Sequence, residues 1–250
     1  MAPWLVIIGL LAACAKTVPL PVSSGPVILT VLTWNMHGDR GDLTRLMADL
    51  ETGRLTGTAP RDYILLLQEF VDREGAVPST SRPLTLFASP VRGASSNAII
   101  ATTRLDDAHT VDLPRERQLR AAVGATVRIG GESLFVVSTH LENRLGWVRG
   151  LLGDRARGRQ AEALLRALPQ GHGIVGGDFN TMLGPDEPAW KALLARFPDT
   201  PGRPAPTFRD RLVLDHLFFD VPDGWVVLRR VIQAQYGSDH HPVLASLHGP

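Results

Sequence analysis

The 250-residue chain is 44% hydrophobic and 20% charged, and its 26 basic and 25 acidic side chains leave a formal net charge of +1. This excludes a disordered tail, a multi-span membrane protein and a coat protein that binds nucleic acid by bulk charge, and the length allows one large domain or two small ones. The single cysteine, Cys14, excludes an intramolecular disulfide framework and a cysteine-rich zinc site. Only Lys16 and Lys191 are lysines, so arginine supplies nearly all of the positive charge. Arg forks suit phosphate and carboxylate, and genome composition produces the same bias.

The first feature in chain order is an apolar run at residues 4–13, too short for a membrane span of about 20 residues but suited to the core of a secretory signal. It ends Leu11-Ala12-Ala13-Cys14, which resembles a bacterial lipoprotein signal, although no Lys or Arg precedes it. The resemblance implies a signal peptide at 1–13, a lipid on Cys14 and an exported protein of the cell envelope, with the Pro/Ser/Gly-rich stretch 14–26 as a tether. A cleaved signal with an incidental cysteine and a buried N-terminal helix are the other readings.

Beyond Pro26 strand-like and helix-like segments alternate. Val27–Trp34 reads as a buried strand, and residues 42–50 as a helix with Asp42 at its N-cap. Strands are expected at 62–67, 84–88 and 97–103, and a hairpin at 120–129 and 133–139 around Gly130-Gly131. A helix over 154–168, a strand at 173–177 and a helix over 188–197 follow, then strands at 214–219, 225–232 and 242–247. His109, His172 and His248 fall outside the functional pattern and read as loop residues. No repeat or composition shift marks a second domain, so 27–250 reads as one. Many strands with few helices point to sheet layers covered by helices rather than a doubly wound sheet.

The buried-looking strands end in polar groups: Trp34-Asn35, Gln68-Glu69, Ser138-Thr139-His140, Gly177-Asp178-Phe179-Asn180, Asp215-His216, and Ser238-Asp239-His240-His241 ahead of the last strand. Ionised groups beside apolar strands are costly unless paired or bound to metal, and strand ends are where sites are built. Glu69 and Asp239 offer hard oxygens to a divalent cation, His140 and His240 suit phosphate or a proton shuttle, and Asp215 can orient an imidazole. Asp178 and Asn180, two apart on an extended chain, are expected on one side.

These motifs, in this order and approximate spacing, resemble the endonuclease/exonuclease/phosphatase superfamily, whose members have the deoxyribonuclease I-like fold. The resemblance covers about Val27 to Leu247. It implies an α/β (α+β) architecture: a four-layer α/β sandwich with two facing central sheets and helices outside. It also implies phosphate-ester hydrolysis with Mg²⁺ or Mn²⁺. By that analogy Glu69 is the principal metal ligand, with Asn35 and Asp239 completing the site. His240 is the catalytic histidine, polarised by Asp215. Asp178 orients or deprotonates water beside Asn180, and His140 binds the scissile phosphate. Asn97 resembles a polar position near the family's site and is a candidate substrate contact. His37 shares a face with Asn35, His216 faces away, and His241 has no assigned role.

The substrate is less legible. Residues 142–168 hold six arginines, Arg144 and Arg149 among them, against three acidic residues. Arg144 and Arg149 are candidate substrate contacts in an approach for a phosphate polymer. The interleaved Leu145, Trp147, Val148, Leu151 and Leu152 also suit a lipid surface, or the segment simply packs on the body beside a solvated basic helix. The leading expectation is an exported, monomeric phosphodiesterase acting on nucleic acid and held to a membrane by its lipid. A phospholipid or small phosphoester hydrolase is the alternative, and a lipid-anchored binding module without catalysis is the third.

Overall fold

Alternating small and branched apolar residues build both sheets. The computed structural model describes residues 25–89, 96–143, 154–198 and 205–250, among which eleven strands and three α-helices are found. The strands are β1 (Val27–Asn35), β2 (Tyr63–Gln68), β3 (Thr85–Ala88), β4 (Asn97–Ala101), β5 (Asp106–Asp112), β6 (Ala121–Ile129), β7 (Glu132–His140), β8 (Gly173–Asp178), β9 (Asp215–Asp220), β10 (Val226–Val231) and β11 (Val243–His248). They form a six-stranded sheet ordered β10-β11-β1-β2-β4-β3 and a five-stranded sheet ordered β5-β6-β7-β8-β9. The helices are α1 (Leu43–Glu51), α2 (Asp154–Ala167) and α3 (Pro188–Arg196). Asp42 caps α1 as expected, accepting the Arg45 N–H.

Strand periodicity assigns the faces. Leu29, Val31, Ile64, Leu66 and Ile99 of the first sheet meet Val123, Ala125, Val136, Ile174 and Leu217 of the second in one core. The alternate residues Leu32, Trp34, Leu65 and Leu67 bury against Leu43, Leu46, Met47 and Leu50 of α1. On the far side Val137, Val175 and Phe218 pack on Leu164 of α2 and on Trp190 and Leu193 of α3. The result is helix, sheet, sheet, helix, the four-layer α/β sandwich. Central strands covered on both faces must be apolar throughout, which is why they read as continuous runs. Between the sheets, a Cβ on Gly176 would come 2.6 Å from Leu66 Cδ1 and 2.8 Å from Leu217 Cδ2, so any side chain there would force these buried leucines to shift.

Three expectations need correcting. Segment 106–112 forms β5, an edge strand paired with β6 across a register shift, and contains His109. His248 is the last residue of β11 rather than a loop residue, and its Nδ1 lies 2.8 Å from the Gly25 carbonyl. On α2, Arg157 is fully buried in a two-bond pair with Glu187, and Arg159 pairs with Glu116, so these arginines serve the fold and not a substrate approach. Arg144, Arg149 and Cys14 lie outside the described residues. Among the described residues no helix is long and apolar enough to cross a membrane.

Candidate active site

Strand register gathers the polar strand ends at one pole. In the first sheet Asn35, Gln68 and Asn97 lie side by side on β1, β2 and β4. In the second, His140, Asp178 and Asp215 form the matching row on β7, β8 and β9. Both rows sit at strand ends because β1 and β2 run parallel, as do β7 and β8. A buried strut joins the rows: Gln68 Nε2 donates to Ser138 Oγ (3.0 Å), and Ser138 Oγ donates to the Leu67 carbonyl (2.8 Å).

His240 reaches this pole from the segment before β11. The Trp34 indole donates to its carbonyl (3.2 Å), and Ser238 Oγ donates to the Asn35 carbonyl (2.7 Å) while accepting the His240 N–H (3.0 Å). His240 Nδ1 lies 2.8 Å from Asp215 Oδ2, and its Nε2 lies 3.8 Å from Asp178 Oδ2. The same Asp178 oxygen receives Asn35 Nδ2 at 3.0 Å and has His140 Nε2 at 3.4 Å. Asn35 Nδ2 is also 3.4 Å from Glu69 Oε1. Six side chains from six distant segments therefore converge: Asn35, Glu69, His140, Asp178, Asp215 and His240.

The electrostatics follow from burial and neighbours. Burial disfavours a charged His240, but Asp215, through charge and hydrogen bond, and then Asp178 and Asp239 outweigh it and lift its pKa to about 9. Burial, reinforced by Asp215, pushes the Asp178 carboxyl up to about 7 against the pull of His240, Asn35 and the Asn180 N–H. His140 is driven the other way, well below the ordinary histidine range, by burial, Arg120 and His240. It is thus a neutral imidazole, and among the described residues neither of its ring nitrogens makes a hydrogen bond.

Other expected residues land less simply. Asn180 is not on extended chain: β8 ends at Asp178 and Asn180 takes a left-handed conformation (φ 52°). Its N–H caps Asp178 Oδ1 (3.0 Å) and its amide donates to the Leu141 carbonyl (3.2 Å), so it braces Asp178. Glu69 (φ 54°) and His37 (φ 55°) share that conformation, and such strained backbone concentrates at functional sites. Asp239 joins the cluster indirectly. One carboxylate oxygen lies 3.1 Å from His37 Nδ1 and the other 3.0 Å from Arg209 Nη2, while the His37 N–H donates to Asn35 Oδ1 (2.9 Å). Asn97 is fully buried and donates to the Ala121 carbonyl, tying β4 to the start of β6. His216 faces away, as expected, packed against Phe179, Trp190 and Phe218 with Nε2 3.1 Å from Thr181 Oγ1. His241 rests on Asp210 and the Ile232 carbonyl.

Sequence reasoning missed three contributors. Arg120 is buried and lies in the field of Asp178, Glu142 and Glu69, which together oppose the lowering of its pKa by burial. Thr207 Oγ1 accepts the N–H groups of Leu214 and Asp215, fixing the carboxylate that holds His240. Phe208 packs on the His240 ring at 4.7 Å. A lone Arg among so many, and a Thr-Phe pair in a Pro-rich loop, carry no local signal.

The family model described as Endonuclease/Exonuclease/phosphatase family matches residues 32–240, which spans every residue of the cluster. The chain belongs to this family. A family protein from Leptotrichia buccalis is similar in structure (TM-score 0.63, 15% identity, covering 88% of this chain and 99% of that one). So are a humanized D. rerio TDP2 (0.62, 17%, 88% and 98%) and an AP endonuclease from Archaeoglobus fulgidus (0.57, 16%, 87% and 98%). At these identities the likeness is one of fold. A search of curated proteins finds no match.

The donor set fits a divalent cation of the kind such phosphoesterases use. Glu69 offers hard oxygens, Asn35 turns Nδ2 toward Glu69 and Asp178 and would add an oxygen on turning its amide over, and Asp178 is a buried carboxylate that a nearby cation would relieve of its repulsion with Asp215. Among the described residues the one group of three His or carboxylate ligand atoms lying within 4.8 Å of one another is Asp178, Asp215 and His240. The Asp215–His240 bond already occupies His240 Nδ1 and Asp215 Oδ2.

Proposed function

We propose that the protein hydrolyses phosphodiester bonds, with nucleic acid as its substrate and Mg²⁺ or Mn²⁺ held by Glu69 and Asn35, Asp239 supporting that site through His37. The observation that carries the reading is the run Asp215, His240, Asp178 (2.8 and 3.8 Å) ending beside an unbonded, neutral His140. Asp215 fixes the tautomer and direction of His240, which presents Nε2–H to a phosphoryl oxygen. Asp178, braced by Asn35 and Asn180, aligns a water and takes its proton as the water oxygen bonds to phosphorus and the ester P–O bond breaks. His140 donates to a second phosphoryl oxygen, and preorganised donors of this kind stabilise the charge that develops there. The cation, when bound, supplies Lewis-acid polarisation of the phosphoryl group and charge stabilisation at the leaving oxygen.

Nucleic acid is favoured over phospholipid because the AP endonuclease from Archaeoglobus fulgidus shares this fold. The Leu11-Ala12-Ala13-Cys14 signal supports export and a lipid anchor in a bacterial envelope. Supercoiled plasmid, sphingomyelin vesicles and bis(p-nitrophenyl) phosphate, each assayed with Mg²⁺ and then with chelator, test the reaction. Plasmid nicking that stops with chelator is expected. Lipid turnover with intact plasmid would replace the nucleic-acid reading, and no turnover with any divalent ion would end the hydrolase reading. Cys14→Ser should free the protein from membranes, and retention there would contradict the lipid anchor.

A further inference from the structure

Beside the catalytic cluster, residues 207–212 form a tight turn whose role the proposed chemistry leaves open. Phe208 bridges to Leu212 on one side and to His240 on the other, and the His241 N–H bonds to the Thr207 carbonyl (2.7 Å). At the tip, Arg209 (φ 47°) and Asp210 (φ 55°) are consecutive non-glycine residues in the left-handed region. That backbone is costly and persists only where surroundings enforce it. Here the Arg209 N–H is held by the Asp239 carbonyl (3.1 Å) and Asp210 by His241 (2.8 Å).

The Phe208 ring lies 4.7 Å from the His240 ring, tilted by 51°, and the Arg209 guanidinium lies 4.9 Å from the Phe208 ring. Phe208 thus touches both the catalytic ring and the arginine at the turn tip. Arg209 Nε (3.2 Å) and Nη2 (3.0 Å) bond to Asp239 Oδ2, using two of the five guanidinium donors. The remaining donors sit on a side chain that is 67% exposed, with no further partner among the described residues. A cation held by a carboxylate and an aromatic face loses little freedom when it takes a ligand.

We propose that Arg209 is a specificity-determining residue that grips a second phosphate of the substrate, one link along the chain from the phosphate at His240 and His140. This rests on the phosphodiesterase reading and narrows it to substrates carrying an additional phosphate next to the scissile bond. A fork of free N–H groups fits phosphate oxygens, whereas a substrate with one isolated phosphodiester offers it nothing.

Binding of short oligonucleotides by the full chain tests this apart from turnover. Without divalent ions, dissociation constants are measured for thymidylyl-thymidine and for its 5′-phosphorylated and 3′-phosphorylated forms. One phosphorylated form should bind at least about tenfold tighter than the parent, as expected for a charge-assisted contact. Arg209→Ala should bring the forms within about twofold and lower the salt slope of the tighter one by about 0.7, the loss of one single-strand phosphate contact. Arg209→Lys should retain part of the preference. No preference in the unmutated protein, or a preference that survives Arg209→Ala, would overturn the proposal. A preference lost in Arg209→Ala, in a protein that fails to hydrolyse bis(p-nitrophenyl) phosphate with any divalent ion, would sink the hydrolase reading and leave the grip standing.

Discussion

Arg157 and Glu187 are both fully buried, and their two hydrogen bonds (2.7 and 2.8 Å) link α2 to the start of α3. Glu187 Oε1 also accepts the Leu183 N–H at 3.0 Å, so the carboxylate is well satisfied. Arg157→Met leaves that carboxylate buried without its counter-charge, a loss of about 3–5 kcal/mol. For a chain of this length the melting temperature should fall by about 6–20 °C. Glu187→Leu should cost a similar amount. The double variant Arg157→Met/Glu187→Leu removes both charges, and most of the loss should return, since an apolar pair of similar volume is often neutral. Its residual deficit should reflect Leu183 N–H, whose residue is exposed enough to meet water. Urea unfolding of the four proteins, with slopes compared to exclude a change in the unfolded state, completes the cycle. A single-variant loss below about 1 kcal/mol, or a double-variant loss equal to both singles combined, would refute the reasoning from buried charge. Phosphodiesterase activity of the double variant should match the unmutated protein, because neither residue touches the cluster.

His240→Ala should lower turnover of bis(p-nitrophenyl) phosphate at least about 10²-fold with little change in KM, as for loss of a group acting on the reacting phosphate; an unchanged kcat in steady-state assays would remove His240 from the mechanism. His216 sets an acid limit on folding. Burial holds its pKa near 3, against a weak opposing bond to Val213, while the unfolded side chain titrates at about 6.5. The unfolded state binds the extra proton between those values, so His216 contributes fully above pH 6.5 and the contribution is lost as pH falls. The loss amounts to about 2 kcal/mol between pH 7 and 5. His216→Phe should flatten that limb of the stability curve by the same amount in denaturant titrations, and an unchanged acid slope would contradict a buried neutral imidazole.

Most of the fold was legible because the central strands are buried on both faces and therefore read as uninterrupted apolar runs. Among the exposed edge strands β3, β5 and β10, β5 is the instructive one in physical terms. β5 reads Asp106-Asp107-Ala108-His109-Thr110-Val111-Asp112, an exposed edge with the composition of a loop, and only its pairing with β6 makes it a strand. The cluster was legible through its strand-end positions, since register alone brings His140, Asp178 and Asp215 abreast. What alternation could not supply was the backbone beyond the last paired residue. Asn180 turns left-handed and so braces Asp178 from its N–H instead of standing beside it. Asp239 likewise meets His37 and Arg209, and the latter comes from a turn that no periodicity marks. Arg120 was hidden for a different reason: its importance lies in burial among carboxylates, which sequence does not display.

The central claim is that Glu69 and Asn35 hold a divalent cation at the pole where His140, Asp178 and His240 meet. Crystals grown with Mn²⁺ and measured at its absorption edge test it directly. An anomalous peak at coordination distance from the Glu69 carboxylate, absent in Glu69→Gln crystals, is the expected result. A peak elsewhere on the molecule, or one that persists in Glu69→Gln, would contradict it.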